Sequence, residues 1–324
     1  MSFSMQTKDE LARIFPEKRC CQKAELAALS RVDGTLIIST NHRLGLQIVT
    51  ENAAVARKII RLGKQVFGLD VELQIKKSMR LKKSNSYVVR IPSTARLQEI
   101  LQELGILDNF GQIRPGIKKS LIRNSCCRRS YLRGAFLGAG SVNSPEGNYH
   151  LEIIVNDNTY AEDLAALMNR FPDIQAKISS RKNWKIVYLK ESEQIVNFLN
   201  VIGAHQALLK FENIRIVKGM RNQVNRLVNC ETANLNKIVN ASMKQLENIK
   251  IIQDMIGLDK LPLRLQTIAS LRLQNPDVSL KELGEMMDPP IGKSGVNHRM
   301  RKLEELAEEL KLRGQEISKT MKKG

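Results

Sequence analysis

The segment CCQKAELAALSRVDGT, residues 20–35, recurs in altered form as CCRRSYLRGAFLGAGS at 126–141. The Cys-Cys pair and the Gly that closes each segment, Gly34 and Gly140, keep the same separation along the chain. A repeat that carries a helix and the strands after it folds most simply as two similar halves, with the two helices related by an approximate internal twofold. A domain of that symmetry suits a ligand that is itself twofold, and duplex DNA is the commonest one.

Alternating apolar residues mark strands, and apolar spacings of three and four mark helices. The first copy reads as a helix over 23–33, a hairpin of LIIST and LGLQIVT ending near Thr50, a helix AAVARKIIRLGKQVF, strands VELQIKK and SYVVRIP, and a helix beginning in STARLQEILQEL. The second reads as a helix over 129–139, a hairpin closed by SPEGN and leading into YHLEIIV, a helix TYAEDLAALMNRF, strands IQAKISS and WKIVYLK, and a helix SEQIVNFLNVIG. In SPEGN, Pro presets one turn dihedral and Gly supplies the other. The expected fold class is α+β, a duplicated αββαββα unit with an antiparallel sheet in each copy and helices on one face.

Charge narrows the partner. The 324 residues hold 52 Lys and Arg against 33 Asp and Glu, a net charge of +19. Such an excess points to a polyanion, either nucleic acid or an anionic membrane face; the alternative is a protein that is merely basic. No run of about 18 apolar residues occurs, and the opening MSFSMQTKDE lacks the apolar core of a signal peptide. The chain is therefore expected in the cytoplasm, associated with the nucleoid, with no membrane partner. Adjacent pairs such as Cys20-Cys21 and Cys126-Cys127 lack the two-residue spacer of common zinc sites, and only four His accompany them and Cys230. They are expected to be small packing residues, with no metal and no cofactor.

LAALSRVDGT (26–35) and LRGAFLGAGS (132–141) resemble the LAGLIDADG motif of homing endonucleases. The resemblance implies two motif helices packed along a pseudo-twofold, and small residues at Ala27, Ala28, Gly134 and Ala135 would let their backbones approach. It also implies that the last acidic residue of each motif binds the divalent ions of two-metal cleavage. Those positions are Asp33 and Ala139. Alanine offers no oxygen to a hard cation, and Leu137 and Gly138 offer none either, so no catalytic residue is assigned. Asp33 followed by Gly34 also has a plain reading as a helix stop and turn.

A sheet of this type could still lie along DNA. Lys76, Lys77, Arg80, Lys82, Lys83 and Arg90 form one acid-free cluster, and Arg114, Lys118, Lys119, Arg123, Arg128, Arg129 and Arg133 form another. Solvated surface is the alternative to phosphate contact. With aromatics at 4%, a stacking platform for single strands is disfavoured.

Residues 206–260 read as a helical, Asn-rich linker to which no chemistry is assigned. From 261 the punctuation is that of a three-helix DNA-binding unit. Pro262 opens a helix with Leu265, Ile268 and Leu271 on one face, and Asn275-Pro276 ends it. Ser279 and Glu282 form a capping box before a short helix with Leu280, Leu283 and Met286 inward. After the break at Asp288-Pro-Pro-Ile-Gly292, Ser294 is expected to cap a third helix with Val296, Met300, Leu303, Leu306 and Leu310 buried. Helical phase then sets Ser294, His298 and Arg301 on the opposite face, with Asn297, Arg299 and Lys302 nearby, as candidates for contact with bases or phosphates.

The order of parts is similar to the WhiA family of bacterial sporulation and cell-division regulators. The resemblance rests on the two motif segments, on NRLVNCETANLNKIVNAS in the linker, and on LPLRLQTIASLR and GKSGVNHRMRKLEEL in the last module. It implies a non-cleaving LAGLIDADG-like domain joined to a helix-turn-helix, acting on double-stranded DNA in division, chromosome segregation and, in some bacteria, sporulation. The division expected is an N-terminal helical cap (1–20), repeat one (21–110), a basic connector (111–125), repeat two (126–205), the helical linker (206–260), the helix-turn-helix domain (261–313) and a basic tail (314–324). An active Mg²⁺-dependent homing endonuclease and a protein-interaction scaffold are the alternatives.

Overall fold

The computed structural model describes residues 1–38, 44–77, 85–94 and 96–321, in two compact units, Met1–Gly219 and Met220–Gly324. In the first unit, α1 (Phe3–Arg13) precedes α2 (Arg19–Asp33), β1 (Gly34–Ile38), β2 (Leu44–Thr50), α3 (Ala53–Phe67), β3 (Glu72–Lys77), β4 (Asn85–Ile91) and α4 (Leu97–Glu103). The same order returns in α5 (Ser125–Ala139), β5 (Gly140–Val142), β6 (Leu151–Val155), α6 (Asn158–Met168), β7 (Lys177–Arg181), β8 (Trp184–Leu189) and α7 (Ser192–Ile202). Both sheets are antiparallel, ordered β1-β2-β4-β3 and β5-β6-β8-β7.

Local chemistry sets the boundaries. The Asn52 side chain accepts hydrogen bonds from the amides of Ala54 and Val55 at the start of α3, which ends at the left-handed Gly68 (φ 64°). Asp157 does the same for α6 through the Tyr160 amide. Helices α2 and α5 begin earlier than the sequence suggests, so both cysteine pairs lie inside the first helical turn.

Helix α2 stops at Asp33 as expected, but the turn expected at Asp33-Gly34 is absent. Gly34 has φ −82°, ordinary extended backbone, and the helix passes directly into β1. Glycine is needed there for room: a Cβ would stand 1.9 Å from the Ser30 carbonyl oxygen, and at Gly140 it would stand 2.3 Å from the Phe136 ring.

Helices α2 and α5 lie side by side in the same direction, with the cysteines meeting at their N-terminal ends and Asp33 meeting Gly138 at their C-terminal ends. Ala27, Ala28, Gly134 and Ala135 are all buried in this contact. A Cβ on Gly134 would lie 2.4 Å from the Glu25 carbonyl oxygen and 2.9 Å from the Ala28 Cβ, so the backbones touch.

A buried ion pair accompanies the contact. Glu25 and Lys58 are fully buried and paired, and the Arg133 guanidinium lies 4.0 Å from the same carboxylate. Burial pushes the Glu25 carboxyl up and the Lys58 ammonium down, while Lys58 and Arg133 pull Glu25 back and Glu25 pulls Lys58 back. The Lys58 ammonium also donates to the carbonyls of Leu11 (2.8 Å) and Ile14 (2.6 Å) at the end of α1. From α1, Glu10 accepts from the amides of Gln206 (2.7 Å) and Ala207 (2.9 Å), the first turn of α8 (His205–Met255). A carboxylate there meets the positive end of the helix dipole.

Residues 221–240 of α8 are exposed on every face. Further on, Ile249 and Ile252 enter the core of the second unit, which therefore begins before residue 261. That core is completed by α9 (Leu263–Gln274), α10 (Leu280–Glu285) and α11 (Lys293–Met321). Ser279 and Glu282 form the full reciprocal capping box. Three details differ from the sequence reading. Met287 (6% exposed) turns inward and Met286 (47%) outward, because the chain leaves the helix at Met286. Ala307, at 0%, packs more deeply than Leu306. Ser294 lies within the first turn of α11 and does not cap it; the Gly292 carbonyl accepts from the Val296 amide.

Two stability predictions follow from the packing. Gly134→Ala should destabilise by about 1–3 kcal/mol through overpacking, whereas Gly219→Ala, mid-helix with nothing within 4 Å of the added Cβ, should stabilise by up to ~1 kcal/mol; thermal melts read both. Glu25→Met or Lys58→Met should each cost about 3–5 kcal/mol by stranding the other charge, and the Glu25→Met/Lys58→Met pair should cost less than either. A denaturant double-mutant cycle in which the losses simply add would contradict this.

Candidate nucleic-acid interface

At the C-terminal end of the α2–α5 pair stand the two motif positions, Asp33 and Ala139. The Lys8 ammonium, from α1, donates to the Gly138 carbonyl at 3.1 Å. Burial raises the Asp33 carboxyl to about 6 against the pull of Lys8. Burial likewise lowers Lys8, which Asp33 and Glu51 oppose. One carboxylate, one alanine and a fixed ammonium thus occupy the end where the motif resemblance implies a pair of acids. Lys8 was not legible as part of this end, since it lies in a different helix far back in the chain.

The sheet faces turned away from the helices carry polar rows. In the first sheet the register aligns Thr35, Gln47, Arg90 and Glu72 across four strands, with Arg90 Nε donating to the Gln47 side chain at 3.3 Å. In the second it aligns Ser141, Glu152, Tyr188 and Lys177, and pairs Arg181 with Trp184. Lys76, Lys177, Arg181 and Trp184 are exposed. Strand alternation alone could have placed Lys177, Arg181 and Trp184 on this face. Lys82, Lys83 and Arg80 lie outside the described residues.

The connector's basic residues do not form one patch. Ile113 lines the same cavity as Ser30 and Gly34, near the Asp33 end, whereas Arg123 shortly precedes the start of α5 at the cysteine end. Lys119, Arg123 and Arg129 are exposed, and Arg129 lies over the Phe171 ring at 5.7 Å. Lys118 is tied to the Gln102 carbonyl at 2.9 Å. Arg114 and Arg128 are half-buried, each with its Nε shielded. Arg133 is buried, donating through Nε to the Ile202 carbonyl at 2.9 Å.

In the second unit, α10 and α11 flank the break at 286–292. Val296, Met300 and Leu303 are buried, and Ser294, Asn297, His298, Arg301 and Lys302 are all exposed, with Arg299 half-buried. Asn297 and Arg301 share a cleft with Lys244, Gln245 and Asn248 of α8. Glu304 is paired with Lys244, so the first acid after the polar face is partly neutralised. Arg272, missed in the sequence, is 2% exposed; its guanidinium donates to the Val278 carbonyl at 2.7 Å and fixes the loop between α9 and α10.

The cysteines are not all buried packing residues: Cys21 and Cys127 are buried, whereas Cys20 is exposed. Cys20, Cys21, Cys126 and Cys127 place all four Sγ atoms within 4.8 Å of one another. The spacer rule concerns ligands from one segment, and here two segments contribute.

Three family models match: the WhiA N-terminal LAGLIDADG-like domain over 19–107, the WhiA LAGLIDADG-like domain over 128–221, and the WhiA C-terminal HTH domain over 224–307. A probable cell division protein WhiA of Heliobacterium modesticaldum is 60% identical over 314 residues, 97% of this chain and 98% of that one. Another, of Desulfitobacterium hafniense, is 59% identical over 324 residues and the full length of both. The crystal structure of full-length WhiA from Thermatoga maritima matches with a TM-score of 0.57 at 25% identity, covering 95% of this chain and 99% of that one. With its two αββαββα copies and helix-turn-helix unit already in view, this chain belongs to the WhiA family.

Proposed function

We propose that this protein binds double-stranded DNA as a regulator of cell division, and with it of chromosome segregation and, in sporulating bacteria, sporulation, without cutting DNA. The observation that carries the DNA reading is the exposed polar face at the start of α11, where Ser294, Asn297, His298, Arg301 and Lys302 stand opposite Val296, Met300 and Leu303. Arg, Asn and His there suit base edges and phosphates. The net charge of +19 supplies the salt-dependent share, with Lys119, Arg123, Arg129 and the outward sheet residues as phosphate contacts. The relatives' names as probable cell division proteins support the process. Repeats over 21–110 and 126–205 with a helix-turn-helix over 261–313 are the division this reading uses, the last extended backward by Ile249 and Ile252.

The non-cutting half rests on Ala139 and Lys8. An ammonium bonded at the helix ends already brings positive charge where divalent ions would sit, and repels them. A site of that kind is a poor Mg²⁺ cradle.

Two outcomes test this. Affinity of the full chain for selected genomic fragments should fall steeply and linearly with log salt. Arg301→Ala and His298→Ala should each weaken specific binding by about 1–3 kcal/mol, while Glu308→Ala does not; parent-like binding by both variants on every fragment would sink the assignment. The second concerns Asp33. Its folded pKa, about 6, exceeds the unfolded value of about 3.9, so the stability it favours is present below the unfolded pKa and lost as pH rises through 6. Asp33→Asn should therefore melt at the parent's temperature near pH 4 and above it at pH 7–8, and Mg²⁺ should not change that difference. Mg²⁺-dependent cleavage, or a Mg²⁺-induced loss of the difference, would favour the nuclease.

A further inference from the structure

We propose that Cys20, Cys21, Cys126 and Cys127 form a tetrathiolate site for one thiophilic divalent ion, Zn²⁺, that staples the two repeats together. The four residues hold the same two positions in the first turns of α2 and α5, and these parallel helices bring their ends together. All four Sγ atoms lie within 4.8 Å of one another. Tetrahedral Zn²⁺ with bonds of about 2.3 Å holds its sulfurs ~3.8 Å apart, so the cage needs to contract by about an ångström or less, within reach of side-chain rotation. A cluster of several irons would need its thiolates spread wider than one ion does.

The surroundings suit an anionic centre. Four thiolates around one divalent cation carry two net negative charges. Neither Lys18 nor Asn124, the residues capping α2 and α5, makes a side-chain bond to its helix, and the four cysteines sit in the first turns, at the positive ends of two helix dipoles. Lys18 acts favourably on the Cys126 thiolate. Cys21 and Cys127 are buried, whereas Cys20 is exposed and Cys126 half-exposed, which leaves an entry path.

Binding replaces four S–H protons, released to solvent, with four Zn–S bonds, and nothing is oxidised or reduced. Affinity should therefore rise with pH. The site lies at the opposite end of α2 and α5 from Asp33 and Ala139, so its role is to tie the repeats and not to meet DNA phosphates.

The test uses the full chain, stripped by a chelator and kept under reductant without oxygen. Titration with Co²⁺ should give the intense thiolate-to-metal charge-transfer bands and the visible bands of a tetrahedral all-sulfur site, saturating at one equivalent and displaced by Zn²⁺. The Cys20→Ser/Cys126→Ser variant, changed at the two more accessible positions, should keep its far-UV spectrum, lose those bands, and bind Zn²⁺ at least ~100-fold more weakly. Zn²⁺ should raise the melting temperature of the parent and not of that variant. Octahedral or absent cobalt bands, equal Zn²⁺ affinity in parent and variant, or cysteines found as inter-repeat disulfides in protein purified under reductant would each overturn the proposal.

Discussion

At Gly134, α5 comes close enough to the Glu25 carbonyl that a single methyl would separate the helices. Everything distinctive about the domain depends on that distance. It seals Glu25 from water, which in turn demands Lys58 and Arg133 as partners. It also aligns the two helices over their whole length, so that sulfur meets sulfur at one end and Asp33 meets Gly138 at the other. A buried ion pair contributes little net stability on its own; here it binds α1, α2, α3 and α5 to one set of charges, which favours one arrangement over its near neighbours.

The repeat and the strand alternation made the α+β architecture legible, because side-chain periodicity is written directly into residue order. What stayed hidden depends on contacts between distant segments. The approach of two parallel helices is not encoded in the spacing of one Cys-Cys pair, and Lys8 gives no local sign that it will point at Gly138. At Gly34 the residue type was informative but its meaning was not: glycine answers to the Ser30 carbonyl and not to a turn. Errors in the last module are of another kind. Met286 and Met287 sit where α10 stops, and helical phase fails once the helix does. On α11, where the helix continues, phase placed Val296, Met300 and Leu303 inward correctly.

The two units reach a similar end by different means. The first fixes its elements with charge buried among helices, while the second fixes a short loop with one guanidinium, Arg272, which reaches the Val278 carbonyl from inside the core. That loop leads into the capping box at Ser279, and so into the pair of helices that presents the polar face of α11. Rigid support beneath an exposed, chemically varied surface is what a functional site of any kind needs to hold its geometry.

The clasp of Glu10 on the first amides of α8 spans 196 residues of sequence in the bond to Gln206. Helix α1 therefore lacks this particular partner until synthesis has passed residue 207. Nascent α1 can dock first on α3, through Lys58 and the Leu11 and Ile14 carbonyls, and takes up the clasp only after both repeats have been made. Completion of the domain is thus timed by translation past residue 207, and a pause or truncation before that point leaves the contact between α1 and α8 unmade.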